Sequence, residues 1–112
     1  MALLIVNALS EDTVAAPGNS ENNYVCVSVT DSVGDPVTGL HKNNFKVFVM
    51  IMGAGGAGVD ITSSAPVGLP GCYVVRVVPS GGETWKAGTY IFAVAVERGS
   101  DKGQNLASVQ MN

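Results

Sequence analysis

The chain has 112 residues, a length that suits one domain with a single hydrophobic core. Charged residues are 13% of the chain, whereas apolar residues reach 46% and there are 14 glycines. Because so few charges are available to cover the surface, part of the apolar surface is expected to meet another protein or another copy of the chain. The net charge is −3 and the six basic residues are dispersed, which excludes a nucleic-acid-binding surface.

The N-terminal segment MALLIVNALSED contains a short apolar run with no Lys or Arg before it. The run is too short to span a bilayer and lacks the basic start of a signal peptide. We therefore interpret it as a first strand and expect no membrane insertion, and the sequence indicates no cellular location.

Apolar side chains recur at every second position in several stretches of the chain. Val25, Val27 and Val29 share one face of NYVCVSVTD, and the same alternation runs through GCYVVRVVP and GTYIFAVAVE. This period is typical of strands that bury one face, and no segment shows a sustained helical period. The sequence therefore predicts an all-β protein.

Turn sequences rich in Gly, Pro, Ser, Asp and Asn separate seven predicted strands. In chain order we expect the strands at about residues 2–9, 23–31, 44–52, 58–64, 71–79, 88–98 and 104–111. Seven short strands at such spacing indicate one β-sandwich, and we assign residues 1–112 to a single domain.

Two stretches of the chain combine strand and turn residues in a recognisable order. VSVTDSVGDPVTGLHKNNFKV runs from a valine-rich strand through Asp, Gly-x-Pro-Val-x-Gly-Leu and Asn-Phe into a further strand, a pattern that resembles bacterial immunoglobulin-like modules. Later, Gly-x-Tyr opens a strand twice, at Tyr73 and Tyr90, and the second instance resembles the tyrosine corner before strand F of immunoglobulin folds. The resemblance covers about residues 23–97 and implies an immunoglobulin-like seven-stranded sandwich. It implies no single function, because such modules serve in adhesins, surface proteins, macroglobulin-like proteins and carbohydrate-processing enzymes.

The two cysteines are predicted to be free thiols. Phe92 stands where antibody domains carry the second cysteine of their inter-sheet disulfide. Cys26 and Cys72 are both phased away from the core valines. If their strands pair antiparallel, Cys26 is expected opposite about Arg76, which leaves Cys72 several residues along the ladder and out of disulfide reach.

The segment VFVMIMGAGGAGVD contains Gly53-x-Gly55-x-x-Gly58, the letter spacing of a dinucleotide-binding loop. Such a site needs a helix directly after the glycines. The following residues VDITSSAPVGLPG are rich in β-branched residues, proline and glycine, which disfavour a helix. The loop is therefore predicted to be a turn between two strands, and no cofactor is expected.

Four acidic residues lie in two connections that an immunoglobulin-like topology places at one end of the sandwich: Asp31, Asp35, Glu97 and Asp101. Calcium prefers oxygen ligands, so these residues form a weak candidate site. Asp31 and Asp35 are also common turn residues that bond their own backbone, and we favour that interpretation.

Nothing in the sequence indicates catalysis. His41 is the only histidine and is predicted to face solvent in a loop. A hydrolytic triad or a zinc site would need it beside a nucleophile or further ligands. Because Gly-x-Ser-x-Gly and Cys-x-x-Cys are also absent from the sequence, we predict that the chain is not an enzyme.

Several apolar residues are phased away from the predicted core: Val74, Val78, Ile91, Ala93 and Ala95. Either loops and the long 10–22 connection cover them, or they form a protein–protein surface by sheet packing or strand exchange. We favour the second interpretation. It predicts a non-catalytic structural or assembly subunit, in a homo-oligomer, a fibre or a decorated shell, that contacts itself or another protein.

The alternative is an adhesion or ligand-binding module that recognises a partner protein or carbohydrate through its loops. Tyr73 and Tyr90 are phased inward, so Trp85 is the aromatic residue expected to be exposed in a loop. A sugar platform usually needs more than one exposed ring, which makes carbohydrate the weaker partner.

Overall fold

The computed structural model describes residues 3–10, 18, 20–51 and 58–111. This part of the chain forms seven strands: β1 (Ile5–Ser10), β2 (Asn23–Thr30), β3 (Phe45–Ile51), β4 (Val59–Pro66), β5 (Cys72–Pro79), β6 (Gly88–Arg98) and β7 (Asp101–Met111). Two single 3-10 turns, Lys42–Asn44 and Ser80–Gly82, are the helical elements of the described ranges. The prediction of an all-β protein is confirmed.

The strands form two antiparallel sheets with the orders β1-β2-β5-β4 and β3-β6-β7. This division into four and three strands, with this connectivity, is that of a constant-type immunoglobulin sandwich. The predicted seven-stranded immunoglobulin-like sandwich is therefore confirmed as the fold class.

The first and last strands each begin three residues away from their predicted starts, since β1 begins at Ile5 rather than at 2. β7 begins at Asp101 rather than at the expected 104, because Arg98 pairs directly with Asp101 across a two-residue turn. Gly99 occupies the first turn position with φ 62°, a left-handed conformation that two-residue hairpin turns require and that glycine adopts without strain.

The core is one layer of side chains supplied by alternate positions of both sheets. Val25, Val27 and Val29 of β2 are buried, as the period-two pattern predicts. They share the core with the inward residues of the other strands and of two loops: Leu4, Val6, Val37, Leu40, Phe45, Tyr73, Val75, Val77, Trp85, Tyr90, Phe92, Val94, Val96, Ala107 and Val109. The residues just before β1 and in β1 also join the two sheets at one edge, because Leu3 forms a parallel bridge with Lys102 of β7.

Trp85 is buried, and the prediction of an exposed loop tryptophan is wrong. It lies in the loop before β6, as expected, but only 1% of its surface is exposed. Its ring packs edge-on against Tyr90, with the ring centres 5.3 Å apart. Its Nε1–H donates to the carbonyl of Glu21 at 2.8 Å, so the one polar atom of the indole is satisfied. The loop therefore folds over the end of the core.

Tyr90 makes the contact that defines a tyrosine corner. Its hydroxyl oxygen accepts a hydrogen bond of 2.9 Å from the backbone N–H of Lys86, four residues upstream. Tyr90 is 1% exposed, which confirms that it points inward. The hydrogen bond fixes the loop that carries Trp85 onto the start of β6.

Gly103 permits the close approach of the N-terminal segment to β7. The backbone N–H of Leu4 donates to the carbonyl of Lys102 at 2.8 Å. A Cβ atom at position 103 would overlap the carbonyl oxygen of Leu4. Since the obstructing atoms belong to the backbone, a side chain at this position can be accommodated only if the strand moves.

We predict that Gly103→Ala destabilises the protein by about 1–3 kcal/mol, because the added methyl group forces Leu4 away from β7. Urea unfolding followed by circular dichroism measures the change. Gly58→Ala is the matched control, since its added Cβ would have only the Ser80 hydroxyl nearby, at 3.8 Å, and its φ is not positive. Equal stability of the two variants would contradict the predicted overlap.

Tyr73 anchors the connection between β2 and β3 to the core. Its hydroxyl accepts a hydrogen bond from the N–H of Leu40 at 3.3 Å and donates one to the carbonyl of Val37 at 2.7 Å. Its ring also packs edge-on against Phe45 at 5.3 Å. The inward phase predicted for Tyr73 is confirmed, since it is 3% exposed.

Tyr73→Phe is expected to cost about 1–3 kcal/mol of unfolding free energy, because it leaves a buried N–H and a carbonyl without their partner. Tyr24→Phe serves as the control: its half-buried ring keeps its stacking with the Arg76 guanidinium, 5.4 Å from the ring centre. Thermal unfolding should separate the two variants. A Tyr73→Phe protein as stable as the control would show that the hydroxyl does not hold this connection.

Candidate functional site

The glycine-rich loop does not have the surroundings of a dinucleotide site. Gly53 and Gly55 lie outside the described residues, whereas the flanking segments are β3 and β4. The residue after Gly58 already begins β4, where a dinucleotide site needs a helix. The prediction that a strand follows the glycines is confirmed.

The four acidic residues of the weak calcium candidate are not brought together. Asp31 uses one carboxylate oxygen to accept from the backbone N–H groups of Val33 and Asp35, each at 3.0 Å. Glu97 of β6 forms an ion pair at 3.5 Å with Lys46 of the neighbouring strand β3. Nowhere in the described ranges, which include Asp101, do three His, Cys, Asp or Glu side chains gather closely enough to hold a metal ion. Asp31 is instead a turn residue, as the favoured interpretation predicts.

Asp31→Ala should lower the unfolding free energy by about 1 kcal/mol, because two backbone donors of the turn lose their acceptor. Asp31→Asn keeps an oxygen acceptor and should recover most of the loss. Melting temperatures with and without millimolar calcium test the two interpretations together. A calcium-dependent rise in the wild type that disappears in Asp31→Asn would favour a metal site over a turn.

His41 lies in an exposed loop, as predicted. Its backbone N–H donates to the side-chain oxygen of Asn44, and its carbonyl accepts from the Asn44 N–H, each at 2.9 Å. These two bonds shape the 3-10 turn before β3.

The outer face of the three-stranded sheet carries an apolar row across all three strands. Ala93 of β6 is paired with Phe48 of β3 on one side and Leu106 of β7 on the other. Phe48 is 54% exposed and Leu106 is 57% exposed. Since alanine is small, the two large side chains stand as ridges beside a trough of about 430 Å³.

The other predicted residues of this face lie in the same strand, in the neighbouring rows. Ala95 pairs with Lys46 and Gln104, and Ile91 pairs with Ile51 and Ser108. Ala93, Ala95 and Ile91 all point away from the core, as predicted, and are half-buried because the flanking strands shade them.

Further exposed apolar side chains lie at the β7 edge of this sheet. Leu3 and Ile5 are 66% and 44% exposed. They line a second groove of about 580 Å³ together with Ala95 and the polar residues Glu97, Lys102 and Gln104. Polar side chains therefore separate this second apolar area from the row of Phe48, Ala93 and Leu106.

The outer face of the four-stranded sheet has its own apolar row, formed by Leu9, Cys26, Val74 and Ala65. Val74 is half-buried within this row. Val78 lies in another row, opposite Asp60, and is also half-buried. Both point outward, as their strand phase predicts.

The sequence interpretation missed the two exposed large apolar residues of the three-stranded face, Phe48 and Leu106. A signal was present for Phe48, which shares the outward phase of Lys46 in the segment FKVFV. For Leu106 the signal was weaker, because the segment GQNLASVQ shows no clear alternation before Ala107 and Val109 are seen to be buried.

The two cysteines lie closer together than expected. Cys26 pairs with Val74 rather than with Arg76, and Cys72 pairs with Ser28. The predicted register was therefore wrong by two residues. Both side chains remain on the outer face and both are free thiols. They are diagonal neighbours on adjacent strands.

Comparisons of the chain with family models, with curated proteins and with solved structures give no match. The described ranges also contain no helix that is long and apolar enough to cross a membrane.

Proposed function

We propose that the protein is a non-catalytic assembly subunit that associates with a second copy of itself through the outer face of the three-stranded sheet. The observation that carries this proposal is the row Phe48–Ala93–Leu106. Two large apolar side chains, each more than half exposed, flank a small one on an open sheet face. Leaving such a row in water is costly, and packing it against another apolar surface recovers that free energy.

The shape of the row favours a second copy as the partner. Phe48 is a ridge and Ala93, on the neighbouring strand, is a trough. In a two-fold arrangement with the axis between β3 and β6, each Phe48 ring enters the Ala93 trough of the other copy. Such an interface is self-complementary, because the same two residues make both contacts.

The charges of the face support the same arrangement. Lys46 and Glu97 are already paired with each other within one copy, at 3.5 Å. The rows on either side of Phe48–Ala93–Leu106 carry the neutral residues Gln104 and Ser108, and a further charge, Lys102 of β7, stands opposite Glu97 at the end of the sheet. A second copy can therefore approach without bringing an unpaired charge of β3 or β6 against the apolar row.

The extent of the face sets the strength of the association. About a dozen described side chains point outward from β3, β6 and β7, fewer than the roughly 20–30 per partner of a standard interface. We therefore propose a weak, concentration-dependent contact, in which avidity from further contacts would be needed for a stable assembly.

No observation favours the alternative of a loop-based carbohydrate-binding module. Trp85, the aromatic residue that this alternative relied on, is buried against Tyr90 and bonded to Glu21. Its indole therefore offers no exposed platform for a sugar ring.

Phe48→Asp is expected to abolish self-association, because it places a charge where each copy would bury an aromatic ring. Sedimentation equilibrium over a concentration series measures the effect: the wild type should show an increasing mass, and the variant should stay at the mass of one chain.

Val33→Asp is the matched control. Val33 is 80% exposed in the turn after β2, away from the proposed interface, so this change should leave the association intact. A wild type that stays at the mass of one chain at the highest concentration would overturn the proposal. So would equal effects of the two substitutions.

A further inference from the structure

We propose that Cys26 and Cys72 form a two-coordinate site for a soft monovalent cation of the Cu(I) class. The site lies on the outer face of the four-stranded sheet, opposite the face used in the proposed function, and it does not depend on that function. Both cysteines line one groove of about 260 Å³. Leu9 of β1 and Val67, the residue after β4, also line it.

The register places the two thiols at a defined separation. Cys72 is paired with Ser28, and Cys26 is two residues before Ser28 on the same face of β2. Such diagonal positions on adjacent antiparallel strands have Cα atoms about 7–8 Å apart and Cβ atoms somewhat closer. A disulfide needs Cα atoms within about 6.8 Å and Cβ atoms about 3.8 Å apart. The diagonal is therefore too wide for a disulfide in this register.

The same separation suits a metal ion held between two thiolates. A metal–thiolate bond is about 2.3 Å long, so two sulfurs on opposite sides of one ion lie about 4.6 Å apart. Adding the two C–S bonds gives a Cβ–Cβ separation of about 5.5–6.5 Å. The Cβ atoms of diagonal neighbours are expected somewhat closer than their Cα spacing of about 7–8 Å, which matches the Cβ–Cβ separation that the ion requires.

The surroundings of the two sulfurs select the kind of ion. Leu9 and Val67 contribute apolar walls, and the polar residues of the lining, Asn7 and Ser28, are neutral, whereas calcium usually takes six to eight oxygen ligands that include carboxylates. Within residues 3–10, 18, 20–51 and 58–111 no third His, Cys, Asp or Glu joins the pair, whereas zinc usually takes four ligands. Thiolates select soft ions, and Cu(I) is stable with only two of them.

The binding step exchanges protons for the ion. Each thiol binds as a thiolate and releases one proton to the solvent. The copper enters and remains as Cu(I), so no electron is transferred and no oxidant is needed.

The test is an anaerobic titration of the reduced full chain with Cu(I) in competition with a chromogenic Cu(I) chelator. We expect one ion per chain and a sulfur-to-copper charge-transfer band in the ultraviolet. Cys26→Ser and Cys72→Ser should each weaken binding by at least about 100-fold, because one thiolate is lost from a two-ligand site. Both substitutions are on the outer face, and circular dichroism checks that the sheets persist.

A second experiment tests the register itself. The double substitution Cys72→Ser/Val74→Cys places two thiols directly opposite each other, where Cα atoms are about 4.5–5.5 Å apart and therefore within disulfide reach, so it should oxidise to a disulfide in air far faster than the wild type. Thiol counts by alkylation and mass spectrometry report the difference. A wild type that forms the disulfide as fast as the double variant would overturn the diagonal geometry.

The stoichiometry separates this proposal from the assembly surface. The titration is repeated in the Phe48→Asp background, which removes the proposed self-association. Unchanged binding of one Cu(I) per chain supports a site within one copy. One ion per two chains, or single-serine variants that bind as tightly as the wild type, would overturn it.

Discussion

The packing of alternate valines between the two sheets is the interaction on which the structure depends. Val25 and Val75 come from one sheet and Val94 from the other, and all three are fully buried. Valine is short and β-branched, so it fills the narrow space between two sheets and also favours the strand conformation. Local preference and core packing therefore agree along β2, β5 and β6.

Aromatic residues close the two ends of this valine layer. Phe45 and Tyr73 pack edge-on at the end where β6 finishes, and Tyr90 and Trp85 pack edge-on where β6 begins. Their hydroxyl and indole groups bond to the backbone of the neighbouring connections. The aromatic rings thus fix the loops as well as filling the ends of the core.

The period-two pattern was sufficient to predict the strands, the inward Tyr73 and the outward Cys26. The pattern could not predict the register in which β2 pairs with β5, because a shift of two residues leaves every side chain on the same face. This explains why Cys26 was expected opposite Arg76 and is found opposite Val74. The alternation determines the phase of a strand but not its position along its neighbour.

The burial of Trp85 is a second feature that local sequence does not encode. Its indole bonds to Glu21, and its carbonyl accepts from the N–H of Gly18, so its position depends on a segment more than sixty residues earlier. The period-two pattern could have predicted that Phe48 points outward, because it follows the outward Lys46 by two positions. Its importance became visible only when Ala93 and Leu106 were seen in the same row.

The bridge between Leu3 and Lys102 joins residues from nearly opposite ends of the described chain. Contacts between such distant positions require a large loop to close before they contribute, so they are expected to form late in folding. Interactions absent from the folding transition state act mainly on the rate of unfolding. Changes in the seam between the N-terminal segment and β7 should therefore act mainly on how long a folded molecule persists before it unfolds.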